Sequence, residues 1–253
     1  MRVLSLADDL SALKSPVVTL GSFDGVHRGH RKLLAAVQDK AEETGGESVV
    51  ITFSRHPRQV LPHGGEIKVL NTLREKKYLL DEAGIHNVLV LPFDDELSSM
   101  TSYDFVKDIM VGRVGMKWLV VGYDHHFGHR QEGNHGQLQR LKEEFGFGLE
   151  RVAEYRDDGS DVSSSTVRHL IAGGDMRRAA ELLGRGYLIT GVIKGGILVP
   201  ESGDKLLPPP GLYGVSVEYD ALKGSDVLKM DHEGVMRLET SCRDCKDVYV
   251  TFD

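Results

Sequence analysis

Two cysteines and a single tryptophan are all that the 253-residue chain holds of either type. So few thiols cannot staple a disulfide scaffold. The cysteines stand together as a lone C-x-x-C, Cys242 and Cys245. A zinc site would need two further ligands at matching spacing, and none follows nearby. The pair therefore reads as two reduced thiols in a surface turn. No apolar run approaches the roughly 20 residues that span a bilayer. The opening stretch MRVLSLADDLSALKS carries acidic residues too early for a secretory signal, so the expectation is a cytoplasmic protein with no membrane partner. An excess of basic charge is also missing. With 31 basic against 38 acidic side chains, the net charge is -7. A sequence-independent nucleic-acid binder needs a basic face, which argues against that class. A small anionic ligand remains open, because a pocket can be basic on an acidic protein.

What is present is a regular alternation. Short apolar runs at 17-VVTLG, 48-SVVITF, 87-NVLVLPF, 117-KWLVVG and 149-LERVAEY show little internal alternation, as strands buried on both faces do. Between them lie the amphipathic segments 29-GHRKLLAAVQDKAEE, 72-TLREKKYLLDEAG, 102-SYDFVKDIMVGRV and 135-HGQLQRLKEEFG. Thr72 and Glu75 have the spacing of a capping box, and Gly84 is a stop. Strand, helix, strand in repetition predicts an α/β fold with a Rossmann-like parallel sheet, which binds ligands at the carboxyl ends of its strands. Two short helices, 163-SSSTVRHLIAG and 175-DMRRAAELLG, close this half. Beyond Gly186 the runs 187-YLITGVIKGG, 212-LYGVSVEY, 234-GVMRLET and 247-DVYVTF alternate, separated by Gly, Pro and charge. They predict a second, small C-terminal β-barrel-like domain. The expected division is 1–184 and 185–253.

The stretch 18-VTLGSFDGVHRGHRKLL-34 leaves a buried strand through Gly21, Gly25 and Gly29 and enters a helix. Unpaired N–H groups and the positive dipole end at such a helix start form a ready anion site. His27 and His30, three residues apart, can both serve it, since imidazoles donate hydrogen bonds to phosphate and can carry charge near neutral pH. Histidines that merely flank a helix are the bland alternative; two of them in a Gly-rich turn favour the anion site. Neither G-x-x-x-x-G-K-[ST] nor G-x-G-x-x-G is present here.

The H-x-G-H element resembles the nucleotidyltransferase signature, and G-S-F-D-G-V-H-R-G-H resembles the first motif of the prokaryotic FAD synthetases, the adenylyltransferase half of bifunctional riboflavin kinase/FMN adenylyltransferases. Three further blocks follow in the family's order. They are 52-TFSRHPRQVL, similar to its phenylalanine/His-Pro loop, 121-VGYDHHFGHRQEGN, similar to G-x-D-x-x-F-G-x-x-R-x-G, and 162-VSSSTVRHLIAGGDMRRAAELLGR, similar to S-S-T-x-I-R and the helix pair after it.

The resemblance implies transfer of AMP from ATP to FMN, giving FAD and pyrophosphate, with Mg2+ accompanying ATP. By the same resemblance His27, His30 and Arg168 are the catalytic residues. Gly21, Ser22, Phe23 and Gly29 would approach ATP with Ser163, Ser164 and Ser165, although Asp161-Val162-Ser163 also reads as an ordinary helix cap. Phe53, His56, Pro57, Asp124 and Phe127 would meet FMN, with Pro57 fixing the aim of His56 and Arg55 and Arg58 adding positive charge. Asp24 reads either as an acceptor for a neighbouring turn or as a contact with substrate or magnesium, the first being favoured. Tyr123 and His125 depart from the glutamate and phenylalanine of many members. Despite His125, His126, His129 and His135, no protein-held metal is expected, and these read as loop histidines beside anionic ligands.

The second domain keeps 183-LGRGYLITGVIKGG and 207-LPPPGLYGVSV, which resemble the entry of a riboflavin kinase barrel. The G-F-P-T-A-N segment has no counterpart, ILVPESGDKLL standing in its place, and Glu239 is a poor match for the kinase's catalytic glutamate. The expectation is a shortened remnant without riboflavin kinase activity, retained for packing or self-association as a homo-oligomer. Rival readings are a fully bifunctional riboflavin kinase/FAD synthetase, a superfamily enzyme charging a pantetheine or nicotinamide nucleotide, and a non-catalytic flavin-nucleotide sensor.

Overall fold

The computed structural model describes all residues except 61–66, 129–132, 158–159, 221 and 240–243, together with the side chain of Ser160. Cys242 and His129 lie outside the described residues. The chain forms two compact units. The first comprises Met1–Phe23, Gly29–Glu66 and Lys77–Tyr155, and the second Asp24–Arg28, Ile67–Lys76 and Arg156–Asp253.

The first unit is built on six parallel strands, β1 (Arg2–Leu4), β2 (Val17–Leu20), β3 (Ser48–Phe53), β4 (Asn87–Leu91), β5 (Trp118–Val121) and β6 (Gly148–Arg151), in the order β1-β4-β3-β2-β5-β6. The middle strands are continuous apolar runs because both faces are covered: Val17, Val18, Val49, Val50, Ile51, Val88 and Leu89 have no exposure. The edge strand β1 was not anticipated, because its three residues RVL are too few and too exposed to form an apolar run. The chain moves from β2 outward to β3 and β4 on one side and to β5 and β6 on the other. The boundary between β2 and β5 is thus a topological switch point, where such sheets bind ligands.

The helices are α1 (Arg28–Thr44), α2 (Pro57–Val60), α3 (Leu73–Glu82), α4 (Asp95–Ser99), α5 (Ser102–Asp104), α6 (His135–Phe145), α7 (Ser164–Ala172) and α8 (Met176–Leu183). The expected helix from 102 onward is a single α turn followed by a π-helical segment, Phe105–Arg113. Its wider turn suits the five-residue step between buried Ile109 and Val114. Asn134 caps α6 by accepting from the Gln137 amide, and Gly146, at φ 72°, ends it in the left-handed conformation. The capping box is formed: Thr72 N–H donates to Glu75 Oε2 at 2.9 Å, and Glu75 N–H donates to Thr72 Oγ1 at 3.2 Å.

The second unit contains a short hairpin, β7 (Arg156–Asp157) and β8 (Ser160–Asp161), and a closed antiparallel barrel. The barrel strands β9 (Leu188–Lys194), β10 (Ile197–Pro200), β11 (Gly211–Tyr219), β12 (Leu222–Met230), β13 (Met236–Leu238) and β14 (Asp244–Phe252) close in the order β10-β13-β12-β11-β14-β9. Period-2 alternation points Val215, Val217, Leu228, Met230, Met236, Leu238, Val248, Val250 and Phe252 inward, and they share one core with Val167, Ile171, Leu182 and Leu183 of α7 and α8. Strands β10 and β12 escaped the sequence reading. In β12 only Asp226, Leu228 and Met230 are buried and the first four residues, 222–225, are exposed, too sparse an apolar pattern to stand out. The cysteine reading needs correction. Cys245 lies on β14 opposite Ile193, is buried with the barrel core and is disulfide-bonded rather than a reduced surface thiol.

Candidate active site

The first unit presents three loops at the carboxyl edge of its sheet. After β2, the Gly21 amide still bonds to the Ile51 carbonyl at 3.1 Å, and the Ser22 carbonyl accepts from Thr52 Oγ1 at 3.4 Å. The turn is tight enough to hold Phe23 at φ 48°, a region non-glycine residues rarely enter and one often found at functional sites. Phe23 is buried, and its ring lies 5.2 Å from that of His30 in the first turn of α1, with Gly29 just before it. An added Cβ at Gly21 would sit 3.1 Å from the Phe23 ring, so the glycine permits this packing.

After β3, Phe53 packs edge-on against Phe93 at 5.1 Å. His56 precedes the short helix α2, which Pro57 opens in the position where proline costs no hydrogen bond. His56 Nδ1 accepts the Arg58 amide at 3.2 Å, which places the ring proton on Nε2 in the neutral tautomer.

After β5, a pocket of about 390 Å³ is lined by Tyr123, Asp124, His125, His126, His135 and Arg151, among others. Asp124 is largely exposed, 3.5 Å from His126 Nε2. Burial, and secondarily the neighbouring His126, lower the pKa of His125 to about 4, so it is neutral at pH 7. Phe127 does not face this pocket as a ligand platform. It is buried in the core between Phe105 and His125, at centroid distances of 6.1 and 5.5 Å. The exposed ring is that of Tyr123, with the Arg151 guanidinium 4.2 Å from its centroid.

The second unit contains His27, Ser163, Ser164, Ser165 and Arg168. His27 is 6% exposed, and burial together with the Arg185 cation lowers its pKa to about 4. At neutral pH it is therefore a hydrogen-bonding group rather than a cation. Ser163 caps α7, its Oγ accepting the Thr166 amide at 3.1 Å, while Ser164 Oγ donates to the Asp24 carbonyl at 2.7 Å and Ser165 is exposed. Arg168 donates through Nη2 to Asp24 Oδ2 at 2.7 Å and through Nε to the Lys68 carbonyl at 3.0 Å. Two of its five N–H donors are thus committed, and three remain. Asp24 Oδ1 accepts the amides of Leu70 and Asn71 at 2.9 and 3.0 Å, so its carboxylate ties a turn together, as the favoured reading of that residue has it.

Two basic residues of the second unit were given no role by the sequence. Lys76 is buried, and its pKa is lowered to about 8 by burial, with nearby Asp24 opposing the shift. Arg185 donates to the Gly25 carbonyl at 2.8 Å. Lys76 lies within α3 and Arg185 just after α8; such side chains ordinarily read as solvated, and only the tertiary fold buries Lys76 and half-buries Arg185.

The sequence signature of the FAD synthetase family matches residues 10–166. The chain is 34% identical over 180 residues to the bifunctional riboflavin kinase/FMN adenylyltransferase of Escherichia coli (strain K12), covering 71% of this chain and 58% of that protein. To the protein of the same name from Pseudomonas fluorescens it is 35% identical over 215 residues, covering 81% and 68%. The chain thus spans less than two thirds of the Escherichia coli relative. In fold it matches the crystal structure of a macrolide-efflux protein from Streptococcus pneumoniae with a TM-score of 0.85 at 22% identity, covering 100% of this chain and 90% of that one. The extent of the signature, over more than half of the sequence, establishes that the chain belongs to the FAD synthetase family.

Proposed function

We propose that the chain is an FMN adenylyltransferase. A phosphate oxygen of FMN attacks the α-phosphorus of ATP, the bond to the β-phosphate oxygen breaks, and FAD and pyrophosphate result. The observation that carries this reading is the S-F-D-G-V-H-R-G-H turn at the carboxyl end of β2, beside the switch point of the sheet. Such a reaction asks the protein for alignment and for neutralisation of crowded phosphate charge. His27 and His30 hold the α-phosphate through N–H donors, and the start of α1 adds its dipole. The backbone around Gly21, Ser22, Phe23 and Gly29 approaches ATP, while Arg168 and the amides and hydroxyls of 163–165 take the outer phosphates. Magnesium arrives as part of the ATP complex, with the phosphates among its ligands.

FMN is received along the loops after β3 and β5, with His56 Nε2 directed to its phosphate and Phe53, Pro57, Asp124 and Phe127 shaping the loops. The burial of Phe127 supports an indirect part for that residue, through the packing of His125.

Residues 1–184 carry this activity in our reading, and residues 185–253 are a riboflavin-kinase-like barrel without kinase activity. The stretch ILVPESGDKLL, standing where the G-F-P-T-A-N segment would be, supports the loss. Among the described residues no helix is long and apolar enough to cross a membrane. The cytoplasm, where ATP and FMN are available, is the proposed location, and small molecules are the proposed partners.

The test gives ATP and magnesium with riboflavin in one tube and FMN in another, and separates the flavins by chromatography. FAD from FMN, with riboflavin untouched, is the expected result. Flavin nucleotide from riboflavin would establish a fully bifunctional enzyme and overturn the kinase loss. Binding of FMN without product would identify a sensor instead.

A further inference from the structure

The second unit encloses an ion pair that the chemistry above does not use. Glu75 and Lys205 have fully buried side chains, with Nζ 2.6 Å from Oε2. The ammonium also donates to the carbonyls of Leu70 and Leu188, each at 2.6 Å, and lies 4.2 Å from the centroid of the Tyr187 ring. All three of its protons are therefore taken. The other oxygen of Glu75 accepts the Thr190 amide of β9 at 2.7 Å. Buried charges so fully satisfied are either costly ornament or a register device.

What they register is the segment 67–71. Val69 pairs in parallel with Lys205, its amide bonding the Asp204 carbonyl at 2.8 Å and its carbonyl accepting the Leu206 amide at 2.9 Å, while Lys68 Nζ reaches the Gly203 carbonyl at 2.8 Å. The same short segment grips Asp24 and Arg168, through the Leu70 and Asn71 amides and the Lys68 carbonyl. Lys205 thus holds the carbonyl of the very residue whose amide holds Asp24.

We infer that the barrel serves nucleotide binding as a scaffold, with Lys205 and Glu75 as positioning residues that fix the Arg168 guanidinium through segment 67–71 and Asp24. This rests on the proposed contact between Arg168 and the triphosphate. Neither residue of the pair touches substrate, since both are sealed from solvent. The barrel's polar junction with segment 67–71 therefore has a use apart from any flavin chemistry of its own.

The experiment is a double-mutant cycle read by calorimetric titration of ATP and magnesium, with FMN left out so that no turnover intervenes. Lys205→Ala would strand a buried carboxylate and risks unfolding. The pair is therefore removed together as Glu75→Gln/Lys205→Met, and Asp24→Asn serves as an isosteric cut further along the same path. Circular dichroism and FMN fluorescence quenching verify that each variant is folded. Arg168→Ala and the double variant should each weaken ATP binding about tenfold, and combining them should add less than about twofold, because coupled residues are not additive. FMN affinity should stay within about twofold of wild type throughout, a split that general loosening would not produce. Normal ATP affinity in the double variant, or an equal Arg168→Ala effect in both backgrounds, overturns the inference. An Arg168→Ala protein that binds ATP normally removes the phosphate contact and the inference together. A coupled ATP effect in a protein that forms no FAD would leave the inference standing and overturn the proposed reaction.

Discussion

Asp24 and Arg168 lie 144 residues apart in the chain and meet in an ion pair of 2.7 Å, Asp24 being almost wholly buried and Arg168 largely so. Breaking such a pair leaves a charge in low dielectric, and Asp24 also caps two backbone amides. Asp24→Ala should therefore cost about 3 kcal/mol of stability, read from urea unfolding midpoints. A loss below about 1 kcal/mol would mean that water replaces the carboxylate readily.

A pH dependence follows from His27. Its pKa is lowered from the ordinary 6.5 to about 4, so between these values the unfolded chain binds the proton and the folded chain does not. The stabilising contribution of the neutral ring is complete above about pH 6.5 and fades as pH falls toward 4. His27→Gln should lose less stability than wild type between pH 7 and pH 4.5, by about 2 to 3 kcal/mol. Equal acid sensitivity of the two proteins would contradict a buried neutral His27.

His30 packs on Phe23 and belongs to the proposed α-phosphate site. Removing one donor to developing charge costs about 100- to 1,000-fold in turnover. His30→Ala should show that loss in a steady-state FAD assay while FMN affinity changes less than about threefold. Unchanged turnover would remove His30 from the chemistry.

Phe127 is a core residue by its burial between Phe105 and His125. Phe127→Ala should destabilise the first unit by about 3 to 5 kcal/mol, as large-to-small core changes do, visible as a lower thermal midpoint. Wild-type stability with lost flavin affinity would instead mark the ring as a ligand contact.

The parts of the fold that could be read in the sequence are those decided by local pattern. Strands β2 to β5 announce themselves because Val17, Val50, Val88 and Leu119 are enclosed on both faces. The Ser163 cap and the Thr72–Glu75 box announce themselves because their partners are three residues away. Strand β12 does not, since only alternate residues face the barrel core. The site behaves in the same way. The turn carrying His27 and His30 is visible, whereas the hold of Lys205 on Leu70 spans 135 residues and leaves no local mark. Phe127 is the converse case, for an aromatic in a Gly-bounded loop gives no local sign of the packing that buries it. Tyr123, the departure from the family pattern, turns out to supply the exposed ring.

The closure of the barrel has a kinetic side. Its first strand, β9, pairs with its last, β14, with Leu188 opposite Thr251 and Ile189 opposite Val250. As the chain is synthesised, Asp24 and Glu75 emerge long before Arg168 and Lys205, and no partial barrel can exist without open edges. The second unit therefore matures only once β14 has been made, through contacts of long sequence separation that form slowly. The first unit, in which three of the five strand pairings join consecutive strands, can order earlier, whereas Asp24 must wait in an unfinished second unit until Arg168 has been made.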